Sequence, residues 1–479
     1  MGVVFFNTLT RAREEFVPIQ AGKATIYTCG PTIHDYAHIG NFRTFIFSDL
    51  VRRYLRYRGY EVFHVLNLTD VEDKIIRRSQ EAGLSRADYT QKFEQAFFED
   101  VDSLNIERCE AHPRATDPVV VDKMAEMIIK LLEDGVAYRS NDGSTYYDIK
   151  KFPDYGRLAN ICVADLQAGA RVSQDEYDKE TAADFALWKA WVPEDGDVYW
   201  DQYEELGKGR PGWHIECSAM SLLHLGAHFD LHLGGVDLIF PHHQNEIAQS
   251  EAFNHEKFVN YWLHCEHLHV EGQKMSKSLG NFYTLRDLLD PAKNASKRAW
   301  DPMAIRFTLL KVPYGSRLNF TFSDLAAAET SLERLKGFLQ RCGEQKGEGP
   351  VEAEVEAAIE RSRQGFIEAM DDNLNIAIGL SHLFELLTAV NPLLEKGISK
   401  AGGEQLAAYL LELDTVLGLR LGSRLAEPGL SAEEQQLLDA RVAARAAKNW
   451  GESDRLRDEL AGRGLVIEDT PQGVRWKRQ

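Results

Sequence analysis

The chain has 479 residues, with 74 acidic against 55 basic side chains and a formal net charge of −19. That length exceeds one compact core and predicts two to four domains. The acid surplus excludes indiscriminate nucleic-acid binding and leaves room for a partner such as tRNA only at a locally basic surface. Six scattered cysteines (Cys29, Cys109, Cys162, Cys217, Cys265 and Cys342) are too sparse for a disulfide scaffold and fit a reducing compartment. No apolar run reaches the ~18–20 residues of a membrane span, and the first residues lack an export pattern. A soluble, cytoplasmic protein is expected.

In chain order, Ala24 to Thr28 (ATIYT) reads as a strand that ends at Cys29-Gly30-Pro31. Phe42 to Arg58 has helical spacing and stops at Gly59, and Glu61 to Leu68 (EVFHVLNL) is a second strand. Strand, helix and strand make a βαβ unit of a Rossmann-like parallel sheet, an α/β fold. Residues from about 103 to 201 interrupt the alternation and read as an insertion. It resumes with Gly226 to Asp237 and Val259 to Val270. From Ser323 onward Ala, Leu, Glu and Arg at helical spacing predict an α-helical bundle, with breaks at Gly343–Pro350, Gly397–Gly403 and Gly422–Gly429. Ser431 and Glu434 form a capping-box pattern that opens a small closing α+β module. The expected regions are therefore a catalytic domain over 1–320, a helical bundle over 321–425 and the small module over 426–479. That module is basic (Arg441, Arg445, Lys448, Arg455, Arg457, Arg463, Arg475, Lys477, Arg478) and carries Trp476, either a base-stacking surface or a plain solvated face.

Three stretches carry chemistry. His38-Ile39-Gly40-Asn41 lies between a strand end and a helix start, where orphan amides and the helix dipole favour phosphate; a plain structural turn is the alternative. Lys274-Met275-Ser276-Lys277-Ser278, flanked by Gly272 and Gly280 (loop 272–280), suits a mobile clamp for a triphosphate, or else is an exposed basic turn. Cys29 could be a nucleophile, a buried spectator or a metal ligand. Cys217 in GWHIECSAM, with His242 and Glu246 four apart in PHHQNE on one helix face, adds donors competent for zinc, though the spacing is long-range. Of the remaining histidines, His224, His228, His232, His243, His264, His267 and His269 read as core or surface residues, and His34 has no role.

Taken together, TCGPTIHDYAHIGN, NLTDVEDK, GKGRPGWHIECSAM, GGVDLIFPHHQNE, KMSKSLGN and MDDNLNIA resemble the cysteinyl-tRNA synthetases, a class I aminoacyl-tRNA synthetase family, over essentially the whole chain. The resemblance implies a cysteine–tRNA ligase with tRNA(Cys), L-cysteine and ATP as partners, Mg²⁺ assistance and a monomeric chain. It implies one Zn²⁺ on Cys29, Cys217, His242 and Glu246, which selects the substrate thiolate. It implies adenylate chemistry at His38, Gly40, Asn41, Lys274, Met275, Ser276, Lys277 and Ser278, with Lys277 touching ATP, and Trp213 and Asp237 beside the amino acid. Two departures stand out: Gln244 where the family commonly has glutamate, and an altered Asp201–Leu206 stretch. The alternatives are a cysteine ligase acting on an amino sugar, as in mycothiol synthesis, and a non-catalytic zinc- or RNA-binding derivative. The long helical half argues against the first, and the intact nucleotide and zinc motifs against the second.

Overall fold

A computed structural model describes residues 2–161, 184–276, 278–425, 431–470 and 473–478. The chain divides into two compact units, 1–421 and 422–479. In the first, a hairpin of β1 (Val4–Asn7) and β2 (Ala12–Glu15) precedes β3 (Lys23–Thr28), α1 (Ile39–Tyr57) and β4 (Glu61–Leu66). The predicted βαβ unit is present, with α1 starting three residues earlier than Phe42 because His38 caps it. α2 (Asp73–Glu81), α3 (Arg86–Ser103) and α4 (Pro118–Glu133) then lead to β5 (Ala137–Arg139), β6 (Thr145–Tyr147), β7 (Phe185–Ala190) and β8 (Gly209–Pro211). These last four strands form an antiparallel sheet separate from the central one.

After it come α5 (Trp213–Leu225), β9 (Phe229–Gly235), α6 (Gln244–Asn254) and β10 (Val259–Cys265). The central sheet has the order β10-β9-β3-β4, all parallel. Its strands read as near-continuous apolar runs because helices cover both faces; Ile26, Tyr27, Val65, Leu231 and Leu263 are wholly buried. Ligands in such sheets bind beyond the carboxyl ends of the strands. Cys29 follows β3 there, and Gly235 closes β9.

A small sheet of β11 (Leu268–Val270), β12 (Gln273–Lys274) and β13 (Leu318–Phe320) flanks α7 (Leu285–Leu289) and α8 (Pro302–Leu310). The helical run follows as α9 (Phe322–Gly343), α10 (Ala353–Asp371), α11 (Ile376–Lys396) and α12 (Lys400–Leu417). The break expected over Gly397–Gly403 is shorter, because Ser399 caps α12 through the Gly402 amide and draws both later glycines into the helix. By length and composition α11 could cross a membrane. Here Leu380, Leu383, Leu386, Leu387, Val390 and Leu394 are buried in the core, while His382 and Glu385 pair at 3.2 Å on the same helix.

The second unit holds α13 (Ala432–Ala446), α14 (Trp450–Gly462) and a hairpin of β14 (Leu465–Thr470) and β15 (Gly473–Arg478) around Leu438, Leu460, Leu465 and Ile467. The Ser431/Glu434 capping box forms as the pattern predicts. Trp476 pairs with Ile467 through its backbone, and its side chain lies outside the described residues. Cys162 does as well.

Candidate active site and metal centre

His38 has extended backbone angles, and its Nδ1 accepts the Asn41 N–H at 3.2 Å while Asn41 Oδ1 accepts the His38 N–H at 3.1 Å. His38 and Asn41 thus form a reciprocal capping box, and Gly40 lies in the first turn, not before it. That turn has no acidic residue, so none of its own side chains neutralises the positive end of the helix dipole, an end that favours anions. The segment following the lysine-rich loop is laid against this helix start. Tyr283 O accepts the Ile39 N–H at 3.0 Å, and Phe282 meets the His38 ring edge-on at 5.0 Å.

Lys274 sits on β12 and is exposed. Met275 reaches the helix start: its Cε lies 3.3 Å from where a Gly40 β-carbon would be. Ser276 and Ser278 are linked hydroxyl to hydroxyl at 3.1 Å. Asn281 organises this loop, taking the Ser276 N–H on Oδ1 at 2.8 Å and donating from Nδ2 to Lys274 O at 3.1 Å. Lys277 lies outside the described residues. Sequence reading missed Asn281; an amide side chain just after Gly280 is the signal, since Asn folds loops back onto their own backbone.

The third cluster lies at the ends of β3 and β9. Cys29 comes from the end of β3, Cys217 from the second turn of α5, and His242 and Glu246 from the turn Ile239–His243 and α6. Their donor atoms all lie within 4.8 Å of one another, and all four residues are buried. Cys29 Sγ is 3.8 Å from Cys217 Sγ and 3.7 Å from Glu246 Oε1; His242 Nε2 is 3.1 Å from Glu246 Oε1. Both thiols are free, and burial pushes each upward while it holds the His242 imidazole well below its usual range.

A second set, Cys29, His232, His243 and Glu246, meets the same distance limit. Its imidazoles are already engaged. His232 Nε2 bonds Glu246 Oε2 at 2.9 Å, and His243 bridges Cys29 Sγ at 3.3 Å and His264 Nε2 at 2.8 Å. His242 Nε2, by contrast, is a fully buried nitrogen that makes no hydrogen bond, while its Nδ1 is held by His214 Nδ1 at 2.9 Å. A buried orphan donor atom facing two thiols and a carboxylate fits a divalent cation. The first set is thus the one whose imidazole has an unbonded nitrogen to offer, and His232, His243 and His214 hydrogen-bond to its members. None of these three was singled out from sequence; histidines on adjoining elements carry no periodic signature.

Trp213 opens α5 and stacks on the His242 ring at 4.0 Å and 23°. Asp237 is exposed in the turn after β9, its Oδ1 folded against Gly235. Gln244 is buried, and its Oε1 accepts the Leu158 N–H at 3.0 Å. Asp201–Leu206 includes Tyr203, whose hydroxyl donates to Asp122 at 2.5 Å and whose ring meets Trp188 edge-on.

Residues 15–330 match the family described as tRNA synthetases class I (C) catalytic domain, 365–422 the DALR domain, and 427–476 the cysteinyl-tRNA ligase anticodon binding domain. The cysteine–tRNA ligase of Brachyspira hyodysenteriae is 45% identical over 484 residues, covering 100% of this chain and 99% of that protein. That of Protochlamydia amoebophila is 45% identical over 481 residues, covering 99% and 97%. In fold, the chain is similar to methionyl-tRNA synthetase of Mycobacterium tuberculosis bound by methionyl-adenylate, with a TM-score of 0.62 at 16% identity over 86% of this chain and 95% of that one. With relatives matched end to end and the class I catalytic-domain model matched over residues 15–330, the chain belongs to the cysteine–tRNA ligase family of class I aminoacyl-tRNA synthetases.

Proposed function

We propose that this chain activates L-cysteine with ATP and Mg²⁺ and transfers it to tRNA(Cys), with Zn²⁺ on Cys29, Cys217, His242 and Glu246. The observation that carries the reading is the buried quartet at the carboxyl end of the central sheet, where Cys29 follows β3. A tetrahedral site with Zn–S bonds of ~2.3 Å separates two sulfurs by about 3.8 Å, which matches the 3.8 Å between Cys29 and Cys217.

In the first step the cysteine carboxylate attacks the α-phosphorus of ATP and pyrophosphate leaves. In the second a terminal ribose hydroxyl of the tRNA attacks the acyl carbon and AMP leaves. No protein nucleophile is required, so the protein's task is to align reactants and stabilise phosphate charge. The α1 amides, with His38, Gly40 and Asn41, take one side of the triphosphate; Lys274, Met275, Ser276, Lys277 and Ser278 take the other. Trp213 walls the amino-acid pocket and Asp237 faces its ammonium group. When bound, zinc supplies a soft centre that holds a thiolate and gains little from a serine hydroxyl. A steric pocket alone rejects a close analogue by only ~10²-fold, whereas faithful charging needs ~10⁴–10⁵, or about 5.5–7 kcal/mol. Residues 321–425 and 426–479 bind the tRNA body and anticodon, and the enzyme works as a cytoplasmic monomer.

The test is ATP–pyrophosphate exchange with cysteine and with serine, alongside metal analysis of the wild type and of Cys217→Ser. Cysteine-dependent exchange, with zinc lost and the KM for cysteine raised in C217S, is expected. Unchanged zinc stoichiometry in C217S defeats the ligand assignment, and exchange without tRNA charging favours the amino-sugar ligase.

A further inference from the structure

Cys29 stands at one end of a file of hydrogen bonds that leaves the metal centre altogether. His243 Nε2 lies 3.3 Å from Cys29 Sγ, His243 Nδ1 lies 2.8 Å from His264 Nε2, and His264 Nδ1 lies 2.8 Å from Thr8 Oγ1. Both imidazoles are buried. Thr8 belongs to the N-terminal hairpin region, some twenty residues before Cys29 and outside every motif described above. Its position is fixed by backbone: the Thr8 N–H donates to Trp262 O at 2.8 Å, and the neighbouring Asn7 Oδ1 accepts the Trp262 N–H at 3.1 Å. The hydroxyl is thus held beside β10, the strand that carries His264.

A neutral imidazole has one N–H and one bare nitrogen, so each ring in the file must accept on one side and donate on the other. Only two self-consistent polarities exist. In one, every donor points away from Cys29 and the sulfur itself gives the last hydrogen bond. In the other, the Thr8 hydroxyl donates to His264 Nδ1, His264 Nε2–H donates to His243 Nδ1, and His243 Nε2–H donates to the Cys29 sulfur. Only the second suits a sulfur that must act as an anionic metal ligand.

We propose that Thr8 is a positioning residue for the metal centre, its hydroxyl supplying the terminal donor to His264 Nδ1 that completes the file when His243 presents an N–H to the Cys29 sulfur. This rests on the zinc reading above. Thr8→Val keeps the shape and removes the donor, leaving His264 Nδ1 facing a methyl group. Thr8→Ser keeps the hydroxyl. Outer partners of metal ligands typically cost 10–100-fold in affinity when removed.

The measurement is Zn²⁺ affinity of the full-length chain by competition with a chromophoric chelator. T8V should bind about tenfold or more weakly, T8S within about twofold of wild type. In a His264→Phe background T8V should add nothing, because the two act through one file. The KM for cysteine should rise in T8V while that for ATP holds. Wild-type affinity in T8V, equal losses in T8V and T8S, or additive losses in T8V/H264F each overturn the proposal while the zinc reading stands. A wild-type chain that binds no zinc overturns both. Thr8→Ala, which adds no bulk, carries the same expectation should T8V not fold.

Discussion

Gly30 joins Cys29 to Pro31 at the end of β3, and its lack of a side chain sets where the Cys29 sulfur lies. Its N–H donates to Asn67 Oδ1 at 2.9 Å, and a β-carbon built on it would sit 1.6 Å from Asn67 O and 2.8 Å from the Asn67 carbonyl carbon. Ordinary contact starts near 3.4 Å, and the obstructing atoms are backbone. Gly30→Ala must therefore part the loops after β3 and β4 by ~2 Å, and the adjoining Cys29 moves with its chain. The donor atoms around Cys29 are spaced 3.7–3.8 Å apart, so a shift of even ~1 Å breaks a set that must converge on one ion. A misplacement of that size costs ~10²-fold, or about 2.7 kcal/mol of transition-state stabilisation. We expect G30A to lose kcat/KM for cysteine by about 100-fold or more and to purify with substoichiometric metal. Its KM for ATP should change less than about threefold, because His38 is anchored by its own helix cap. Pyrophosphate exchange with cysteine and ATP titrated separately, with metal analysis and a melting curve, decides the matter. A folded G30A with full metal content and cysteine kinetics within about threefold of wild type would refute the reasoning.

Three further outcomes follow from the same geometry. Asp49 is wholly buried, taking Arg306 Nη2 at 2.5 Å, Arg53 Nε at 2.8 Å and the Glu107 N–H at 3.0 Å. Burial pushes its carboxyl up, but Arg306 and Arg53 outweigh that and hold it below the usual range. Asp49→Asn leaves two guanidiniums short of their counter-charge and should cost about 3–5 kcal/mol in urea unfolding. His64 is buried against Thr28 Oγ1 at 2.8 Å, and burial followed by Arg52 lowers it to about 3. The unfolded chain takes up this proton below pH ~6.5 and the folded chain does not, so this stability is whole above ~6.5 and is lost as pH falls toward 3. Between pH 7 and 5 His64→Gln should shrink the loss of unfolding free energy by about 2 kcal/mol, the remainder coming from other buried histidines such as His264. Asn281→Ala frees the loop at Ser276 and Lys274 and should raise the KM for ATP more than that for cysteine in pyrophosphate exchange.

Short-range chemistry was legible in the sequence and long-range partnership mostly was not. The β3-α1-β4 unit showed because apolar runs and helical spacing are local, and the Ser431 cap because its donor and acceptor are three residues apart. His38 capping its own helix is just as local, yet it escaped because histidine is an uncommon cap, and α1 was placed three residues late. Cys29, Cys217, His242 and Glu246 could be joined only through a family resemblance, since 188 residues separate the two cysteines and no spacing rule spans a sheet crossover. The histidines behind them were invisible for a stronger reason. What distinguishes His232, His243 and His264 from core histidines is which nitrogen faces which neighbour, and that depends on β9, α6 and β10 arriving side by side.

Long-range partners also fix α1, the helix whose start takes the phosphates in the proposed function. Its start carries the cap His38 and, in the first turn, Asn41; its middle carries Asp49 and Arg53; its end carries Tyr54 and the C-cap Arg58. Asp49 meets Arg306 of α8, Arg53 donates to Thr415 O on α12 at 3.1 Å, and Tyr54 donates to Asp371 of α10 at 2.6 Å, with Arg58 on the same carboxylate. Arg306 also donates to Leu417 O at 2.8 Å, at the close of α12. The partners are side chains or backbone carbonyls far from α1 in sequence, and Asp49, Arg53, Tyr54, Arg306 and Asp371 are buried. Ion pairs of this kind add little net stability over apolar packing, but they tolerate almost no change of register. In the proposed function the N-terminus of α1 meets a triphosphate, and such a contact needs register more than it needs affinity for neighbouring elements. That requirement accounts for the charged pairs Asp49–Arg306, Asp49–Arg53 and Asp371–Arg58 along this helix.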